Sequence, residues 1–184
     1  ISKFALKINK QKLGENYRKL ILASSKDLRV ILIKLADRLH NMRTINFIKD
    51  EAKRINISLE TLEVFSPLAQ RLGMKEWQDE LEDLSFKSIN PEARKSVLDR
   101  INYLNSNDEN IIDEIRYELK KNLISEDINS SIDGRIKSAY SIWNKIKSKN
   151  ISFEQLSDIM AFRIITNSAR ECYKCLGIIH RNYQ

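Results

Sequence analysis

Only four glycines and two prolines occur among the 184 residues of this chain. Because glycine and proline most often end helices and form the turns between strands, their scarcity favours long helices over an all-β fold. Hydrophobic residues make up 42% of the composition and charged residues 31%, which is enough apolar material for a packed core. The sequence therefore predicts a mostly helical protein of one or two domains.

The formal net charge of +7 favours polyanionic partners. Nucleotides, nucleic acid and an anionic membrane surface all fit this charge, and the charge alone does not choose among them. No apolar run approaches the roughly 20 residues that span a bilayer, and no signal peptide is visible at Ile1. We therefore expect a cytoplasmic protein without a membrane partner. Because the first residue is Ile rather than Met, we also expect a fragment or a processed chain.

Two cysteines, Cys172 and Cys175, form one C-x-x-C sequence without a second pair. A closed zinc site would need further ligands from elsewhere in the chain. Two reduced thiols that pack as small apolar groups are the favoured interpretation, and a zinc or redox role is the alternative.

Apolar residues recur at spacings of three and four in the stretch DLRVILIKLADRLHNMRTI, which begins at Asp27. This spacing predicts an amphipathic helix. Its predicted apolar face consists of Leu28, Ile31, Leu32, Leu35, Ala36 and Leu39. A shorter basic and apolar helix is predicted before it, over residues 16–23.

Later segments predict further helices and one strand. Pro67 is expected to start or kink a helix and Gly73 to end one, and two more helices flank a polar interruption at residues 105–110. The polar stretch SEDINSSIDG, residues 125–134, predicts a loop and the main domain boundary. After it we expect an amphipathic helix from about residue 138 to 149, a strand in IMAFRIIT and a helix in CYKCLGIIHRNY.

The first long helix carries a polar stripe opposite its apolar face. Residues at helical spacings share one side of a helix, and here they are Lys34, Asp37, His40, Asn41 and Thr44. Val30 and Ile33 adjoin the stripe one turn earlier, which places it at the edge of a cleft. From the spacing alone, a solvated helix face is the alternative.

The same stretch closely resembles a late helix of the hydrolase domain of RelA/SpoT enzymes, a member of the HD metal-dependent phosphohydrolases. By that resemblance, Asp37 is a ligand of a catalytic manganese ion, Asn41 contributes to the nucleotide pocket, and Arg43 and Thr44 lie close to the bound guanosine nucleotide. The family's other manganese ligands are an upstream His and a His-Asp pair, and this sequence has only two histidines and no His-Asp dipeptide. Because such a site needs several ligands, we expect no tightly held manganese in this chain alone.

A second polar stripe is predicted on the helix after residue 138. Lys137, Ser141 and Lys145 recur every four residues, and the opposite face is apolar: Ala139, Ile142, Trp143 and Ile146. Gly134 and Arg135 are expected just ahead of this helix, where a flexible backbone, unpaired amide donors and the positive end of the helix dipole suit a phosphate. A solvated basic surface is the alternative.

The sequence GRIKSAYSIWNKI resembles the opening of the RelA/SpoT synthetase domain, and DIMAFRII resembles its following strand. The resemblance implies that Arg135, Lys137, Ser141 and Lys145 hold the phosphates or base of ATP, that Asp158 coordinates magnesium and that Arg163 contacts substrate. The family transfers a pyrophosphoryl group from ATP to the ribose 3′-hydroxyl of GDP or GTP, and positioning and charge neutralisation dominate such reactions. Ser138 departs from the basic residue or His of many relatives.

Between these motifs, PLAQRLGMKEWQDELEDLSF resembles the helical connector of the family. The resemblance implies an α+β fold that is predominantly α-helical, with a mixed α/β nucleotidyltransferase-like part at its end. The expected division is residues 1–55 for the end of an HD-type hydrolase domain, 56–124 for the connector and 125–184 for the start of the synthetase domain. Implied ligands are ATP, GDP or GTP, (p)ppGpp, Mg²⁺ for synthesis and Mn²⁺ for hydrolysis.

The implied function is alarmone metabolism in the stringent response, with both sites incomplete in this chain alone. One alternative is a catalytically inert, nucleotide-binding regulator or a partner fragment of a split enzyme of this family. A basic helical nucleic-acid binder is a third reading, disfavoured because no recognition motif or set of aromatic stacking residues is apparent.

Overall fold

The computed structural model describes residues 27–107, 110–152 and 159–183. The helix predicted over residues 16–23 lies outside the described residues. Helices dominate the described ranges, and a single two-stranded sheet accompanies them. This confirms the predicted α+β, predominantly helical fold. No helix in these ranges is long and apolar enough to cross a membrane.

The chain divides into two compact units, Ile1–Arg94 and Lys95–Gln184. The division into residues 1–55, 56–124 and 125–184 stays a proposal about function, because compactness alone does not assign a role to each part.

The first unit is built from helices joined by short turns. They are α1 (Leu28–Arg43), a 3-10 turn (Ile45–Phe47), α2 (Glu51–Glu60), a π-helical turn (Thr61–Phe65), α3 (Ser66–Arg71) and α4 (Lys75–Ile89), and α5 (Pro91–Asn107) begins at the end of this unit. Pro67 lies in the first turn of α3, and Gly73 follows that helix with a φ of +73°. Both predictions about helix ends are therefore confirmed.

Asp27 caps the start of helix α1, and its carboxylate accepts a hydrogen bond from the backbone N–H of Arg29 at 2.9 Å. Such a cap satisfies an amide that has no partner inside the helix. The buried residues of α1 are Ile31, Leu35, Leu39 and Met42, which form a narrow seam at spacings of four, four and three. Predicted burial was wrong for Leu28, Leu32 and Ala36, which are exposed because the neighbouring helices cover only this seam.

The core of the first unit joins the α1 seam to Val64, Phe65, Leu68, Ala69 and Leu81. A carboxylate also lies inside it: Glu82 is 6% exposed. Its Oε1 accepts hydrogen bonds from Ser66 Oγ at 2.6 Å and Gln78 Nε2 at 2.8 Å. Buried polar groups are costly without partners, so these bonds fix how α3 packs on α4.

The second unit contains both strands. Its elements after α5 are α6 (Ile111–Ile124), β1 (Ser130–Ile136), α7 (Ala139–Lys149), β2 (Met160–Thr166) and α8 (Ala169–Asn182). The strands are antiparallel, and the register runs from Ser130 opposite Thr166 to Ile136 opposite Met160. The helices predicted on both sides of residues 105–110, the strand in IMAFRIIT and the final helix are confirmed.

The loop predicted over residues 125–134 is wrong in its second half, because residues 130–134 belong to β1. Burial along β1 alternates strictly, with Ile132 and Ile136 on the less exposed side. This is the period-two pattern of a strand with one covered face. Arg135 accordingly lies inside β1, four residues before α7 begins, and Lys137 lies between β1 and α7 and not on the helix.

Gly134 has a packing role rather than the predicted ligand-facing one. A Cβ atom at this position would lie 2.7 Å from Ile112 Cγ2 and 2.7 Å from Phe162 Cε1. Only glycine allows α6 and the side chain of Phe162 to approach the strand this closely. Gly134 therefore belongs to the contact between α6 and the sheet.

Both cysteines are free thiols on α8. Cys175 is buried with Leu123, Ile128 and Ile178, whereas Cys172 is exposed. Burial raises the pKa of the Cys175 thiol, and the neighbouring Cys172 and Glu171 act in the same direction. Cys175 thus packs as a small apolar side chain.

Candidate functional site

The polar residues predicted on one side of α1 share that side, whereas the predicted cleft at their edge stays a prediction. Asp37 and Asn41 are exposed one helical turn apart, and Asn41 Nδ2 donates a hydrogen bond to Asp37 Oδ2 at 3.2 Å. At the end of the helix, the Thr44 hydroxyl donates to the backbone carbonyls of His40 at 3.1 Å and Asn41 at 3.3 Å. The structure therefore places Asp37, Asn41 and Thr44 on one side of α1, with Asp37 and Asn41 exposed and Thr44 half-buried.

The Arg43 side chain lies off this stripe and is bound to Glu80 on α4. Its Nε and Nη2 donate to Glu80 Oε1 at 2.6 Å and Glu80 Oε2 at 2.8 Å, so the last residue of α1 is joined to α4. The Arg43 guanidinium lowers the pKa of the Glu80 carboxyl, and Glu80 in turn raises the pKa of Arg43. Contact between Arg43 and a nucleotide stays a prediction.

Arg38 is a residue that the sequence reasoning missed. Its Nη2 lies 2.8 Å from Glu60 Oε2, and its guanidinium carbon lies 4.1 Å from the centre of the Phe65 ring. This side chain joins α1, next to Asp37, to the end of α2 and to the π-helical turn. A π-helical turn often marks a functional position in a helix. The partners of Arg38 are 22 and 27 positions away, so local spacing gave no signal for these contacts.

The acidic groups near the stripe do not assemble a full metal site. Asp37 offers carboxylate oxygens, and Asn41 adds an amide oxygen. Across the described ranges, no group of three or more His, Cys, Asp or Glu side chains is placed to hold a metal ion. A hydrolytic metal needs several ligands, so these residues alone do not fit a complete manganese centre.

In the second unit, two arginines share the exposed face of the sheet. Arg163 on β2 is paired in register with Asp133 of β1, and Arg135 is paired with Ala161. Alternate strand residues face the same side, so Arg135 and Arg163 are diagonal neighbours on one exposed face. Neither guanidinium has a hydrogen-bond or ion-pair partner within the described parts of the chain. This face carries cationic groups that suit phosphate.

The start of α7 adjoins β1. Ser138 caps the helix: its Oγ accepts from the backbone N–H of Ser141 at 3.3 Å and donates to Ser141 Oγ at 2.9 Å. Lys145, one turn beyond Ser141, is partly buried, and the backbone N–H of Lys137 donates to the Ile159 carbonyl at 2.9 Å. The predicted cationic and hydroxyl residues thus follow β1 directly. Asp158, the predicted magnesium ligand, lies outside the described residues.

Two protein-family models match this chain. One, described as an HD domain, matches residues 2–75. The other, described as a region found in RelA / SpoT proteins, matches residues 134–184. The first match includes the whole of α1, and the second begins at Gly134 and includes Arg135, α7, β2 and α8 up to its end. The first match therefore covers the α1 stripe with Asp37 and Asn41. The second covers the cationic residues around β1 and α7, which include Arg135 and Lys145. These are the two polar clusters of the chain.

Curated relatives match nearly the whole chain. A protein of Brucella melitensis named GTP pyrophosphokinase rsh is 43% identical over 170 residues, covering 92% of this chain and 22% of the relative. A protein of Spiroplasma citri named guanosine-3′,5′-bis(diphosphate) 3′-pyrophosphohydrolase is 45% identical over 184 residues, covering 100% of this chain and 24% of the relative.

A protein of Myxococcus xanthus named GTP pyrophosphokinase is 40% identical over 187 residues, covering 100% of this chain and 25% of the relative. The chain thus spans about a quarter of the length of the relatives it matches. Their names include both a synthetic and a hydrolytic activity on guanosine nucleotides.

Proposed function

Because this chain belongs to the RelA/SpoT family, we propose that it serves the synthesis and hydrolysis of guanosine tetra- and pentaphosphate. One observation carries the proposal: a single chain joins an HD-domain match containing the Asp37 stripe to a RelA/SpoT match containing the Arg135 cluster. A cytoplasmic location and a role in the stringent response are part of this proposal.

For hydrolysis, the α1 stripe supplies part of a nucleotide pocket. Asp37 is proposed as a manganese ligand, Asn41 as an adjacent polar contact and Thr44 as a contact to the guanosine nucleotide. Their position on one side of α1, with Asp37 and Asn41 exposed and Thr44 half-buried, supports these roles, because one ligand can meet all three. Arg43, held by Glu80, is proposed to lie beside the nucleotide. The bound manganese would activate water, and the remaining ligands must come from outside the described residues.

For synthesis, the cations around β1 and α7 bind ATP. Arg135, Lys137, Ser141 and Lys145 are proposed to hold its phosphates or base, and Arg163 stands on the same sheet face as Arg135. Asp158 is proposed as the magnesium ligand. The reaction moves a pyrophosphoryl group to the 3′-hydroxyl of GDP or GTP, and fixed cations lower its barrier by neutralising the charge on the phosphate oxygens.

The experiment is a calorimetric titration of the chain with ATP and magnesium. Lys145→Ala and Asp158→Ala are expected to weaken binding, because a charge-assisted bond to a phosphate contributes roughly 1.5 to 3 kcal/mol. Lys147→Ala is the matched control, since Lys147 is an exposed lysine of the same helix that lies two positions from Lys145 and therefore on a different side of it. Equal affinity in all four proteins would contradict the ATP assignment.

A turnover assay distinguishes an active enzyme from an inert regulator. Labelled guanosine nucleotides, incubated with the chain and either ATP–Mg²⁺ or Mn²⁺, report synthesis and hydrolysis directly. Binding that depends on Lys145 without any turnover would favour a nucleotide-binding regulator or a partner fragment. Substantial turnover would show that the chain holds a complete site.

A further inference from the structure

An open groove of about 640 Å³ lies between α6 and the start of β1. One wall is a single stripe of α6 at spacings of three, one and three: Asp113, Arg116, Tyr117 and Lys120. Residues 130–132 of β1 form the other wall. Neither polar cluster described above includes any of these residues, and the groove volume falls within the roughly 300 to 1,000 Å³ range of small-molecule sites.

The groove exists because α6 uses a different face to pack. Leu119 and Leu123 are buried, and Ile112 lies against Gly134, so the apolar side of α6 is committed to the sheet. Successive strand residues point to opposite faces, yet three consecutive residues of β1 line the groove. The groove therefore follows the backbone edge of β1 that is not paired with β2 in the described part of the chain.

The chemistry of the lining matches one class of ligand. The Tyr117 side chain is 72% exposed, so its ring is accessible for stacking. Lys120 is exposed and has no ion-pair partner among the residues that the structure describes. Arg116 Nη2 lies 2.6 Å from Asp113 Oδ1, which leaves other N–H groups of the guanidinium for a second acceptor. An aromatic platform beside two cations suits a base joined to a phosphate.

We propose that this α6–β1 groove is a second nucleotide site, which takes a nucleoside phosphate with its base against Tyr117 and its phosphate against Arg116 and Lys120. The site is separate from the cluster proposed for ATP. Ser131 and Arg135 lie four residues apart on β1, or roughly 13 Å at the rise of an extended strand. Occupants of the two sites need not exclude each other.

The test is a titration of the isotope-labelled chain with AMP, followed by amide NMR without added metal. The expected shifts fall on residues 113–120 and 130–132. Adenosine alone and ribose 5-phosphate alone should each bind more weakly than AMP, because each lacks one of the two contacts. Tyr117→Leu should weaken AMP binding at least about 5-fold, the lower end for loss of one base–aromatic stack, and Lys120→Gln should weaken it as well.

Helix α8 supplies matched controls. Tyr173 is 77% exposed, and the adjacent Lys174 is also exposed, but neither lines the groove. Tyr173→Leu and Lys174→Gln should leave the affinity unchanged. Equal effects of the α6 and α8 variants, or no shifts in the groove at saturating AMP, would overturn the proposal.

Lys145→Ala distinguishes this site from the one proposed for ATP. Groove shifts that persist in Lys145→Ala support a separate site. If all AMP-induced shifts vanish in that variant, the groove proposal is wrong and the ATP assignment stands. If groove shifts persist and ATP–Mg²⁺ affinity is also unchanged by Lys145→Ala, the second site stands and the ATP assignment fails.

Discussion

Arg43 and Glu80 form a two-bond ion pair that joins the end of α1 to α4, with donor–acceptor distances of 2.6 and 2.8 Å. On the other border of the buried α1 seam, Arg38 reaches Glu60 and Phe65. The helix that carries Asp37 and Asn41 is thus held from two sides. Arg43 and Arg38, which are not on the polar stripe, therefore set the direction in which the stripe faces.

The Arg43–Glu80 pair gives a pH-dependent stability contribution. Because Arg43 lowers the pKa of Glu80 in the folded chain, the contribution is present above the unfolded pKa of Glu80 and is lost as the pH falls through the folded value. Glu80→Gln should therefore lower the urea midpoint at pH 7, and the difference from the parent chain should shrink at acid pH.

Added salt should reduce the Glu80→Gln effect, because both side chains are partly exposed to solvent. Glu63→Gln, at an exposed glutamate in the same unit, is the control and should change little. An effect of Glu80→Gln that is the same at pH 7 and at acid pH would contradict the ion-pair account.

Arg38→Met tests the contacts that Arg38 makes with Glu60 and Phe65. The substitution keeps an apolar stem but leaves Glu60, whose side chain is 24% exposed, without this cation. Loss of a hydrogen bond between charged groups and of the contact with Phe65 should cost about 2 kcal/mol in the free energy of unfolding, measured by urea denaturation. Amide hydrogen exchange along α1 should also become faster.

Arg29→Met is the matched change, because Arg29 pairs with nearby Asp27, two positions away on the same helix start, and its side chain is 84% exposed. It should leave the stability nearly unchanged. A similar, small loss for both variants would mean that Arg38 does not anchor α1.

The described parts of the chain show what local sequence patterns can and cannot predict. The four-residue spacing that brings Asn41 beside Asp37 is visible in the sequence, and half of the predicted apolar face of α1 is buried. The other half is exposed, because burial depends on which part of the helix its neighbours cover. The pairing of Arg43 with Glu80 spans 37 positions and depends on how α1 packs on α4. Strand β1 was missed because Ser, Asp and Gly in SSIDG are typical of turns, and only pairing with β2 makes this segment extended.

Two glycines should respond in opposite directions to alanine. At Gly134 a Cβ would lie 2.7 Å from two neighbouring side chains, so Gly134→Ala should cost about 1 to 3 kcal/mol through overpacking. At Gly177, inside α8, a Cβ meets nothing within 4 Å. Gly177→Ala should stabilise the chain by about 0.5 to 1 kcal/mol because alanine favours the helix.

Thermal unfolding of the two glycine variants measures both effects under one set of conditions. Stabilisation by Gly134→Ala would show that α6 does not pack closely on the sheet.

The two cysteines should differ in reactivity. The thiolate is the reactive form, and burial raises the pKa of Cys175 while Cys172 is exposed. Iodoacetamide at pH 8 should therefore alkylate Cys172 first, and Cys172→Ser should leave a single slowly labelled thiol, as read by mass spectrometry. Rapid labelling of Cys175 in the native chain would contradict its place in the core.

The central claim is that the stripe of Asp37, Asn41 and Thr44 contacts a phosphorylated guanosine. Amide NMR during a titration with guanosine 3′,5′-bis(diphosphate) tests this most directly. We predict shifts concentrated on residues 37–44 that weaken in Asn41→Ala and persist in Lys87→Ala, because Lys87 is an exposed lysine at the end of α4 and lies outside the stripe. A spectrum in which residues 37–44 do not move at saturating nucleotide would contradict the account.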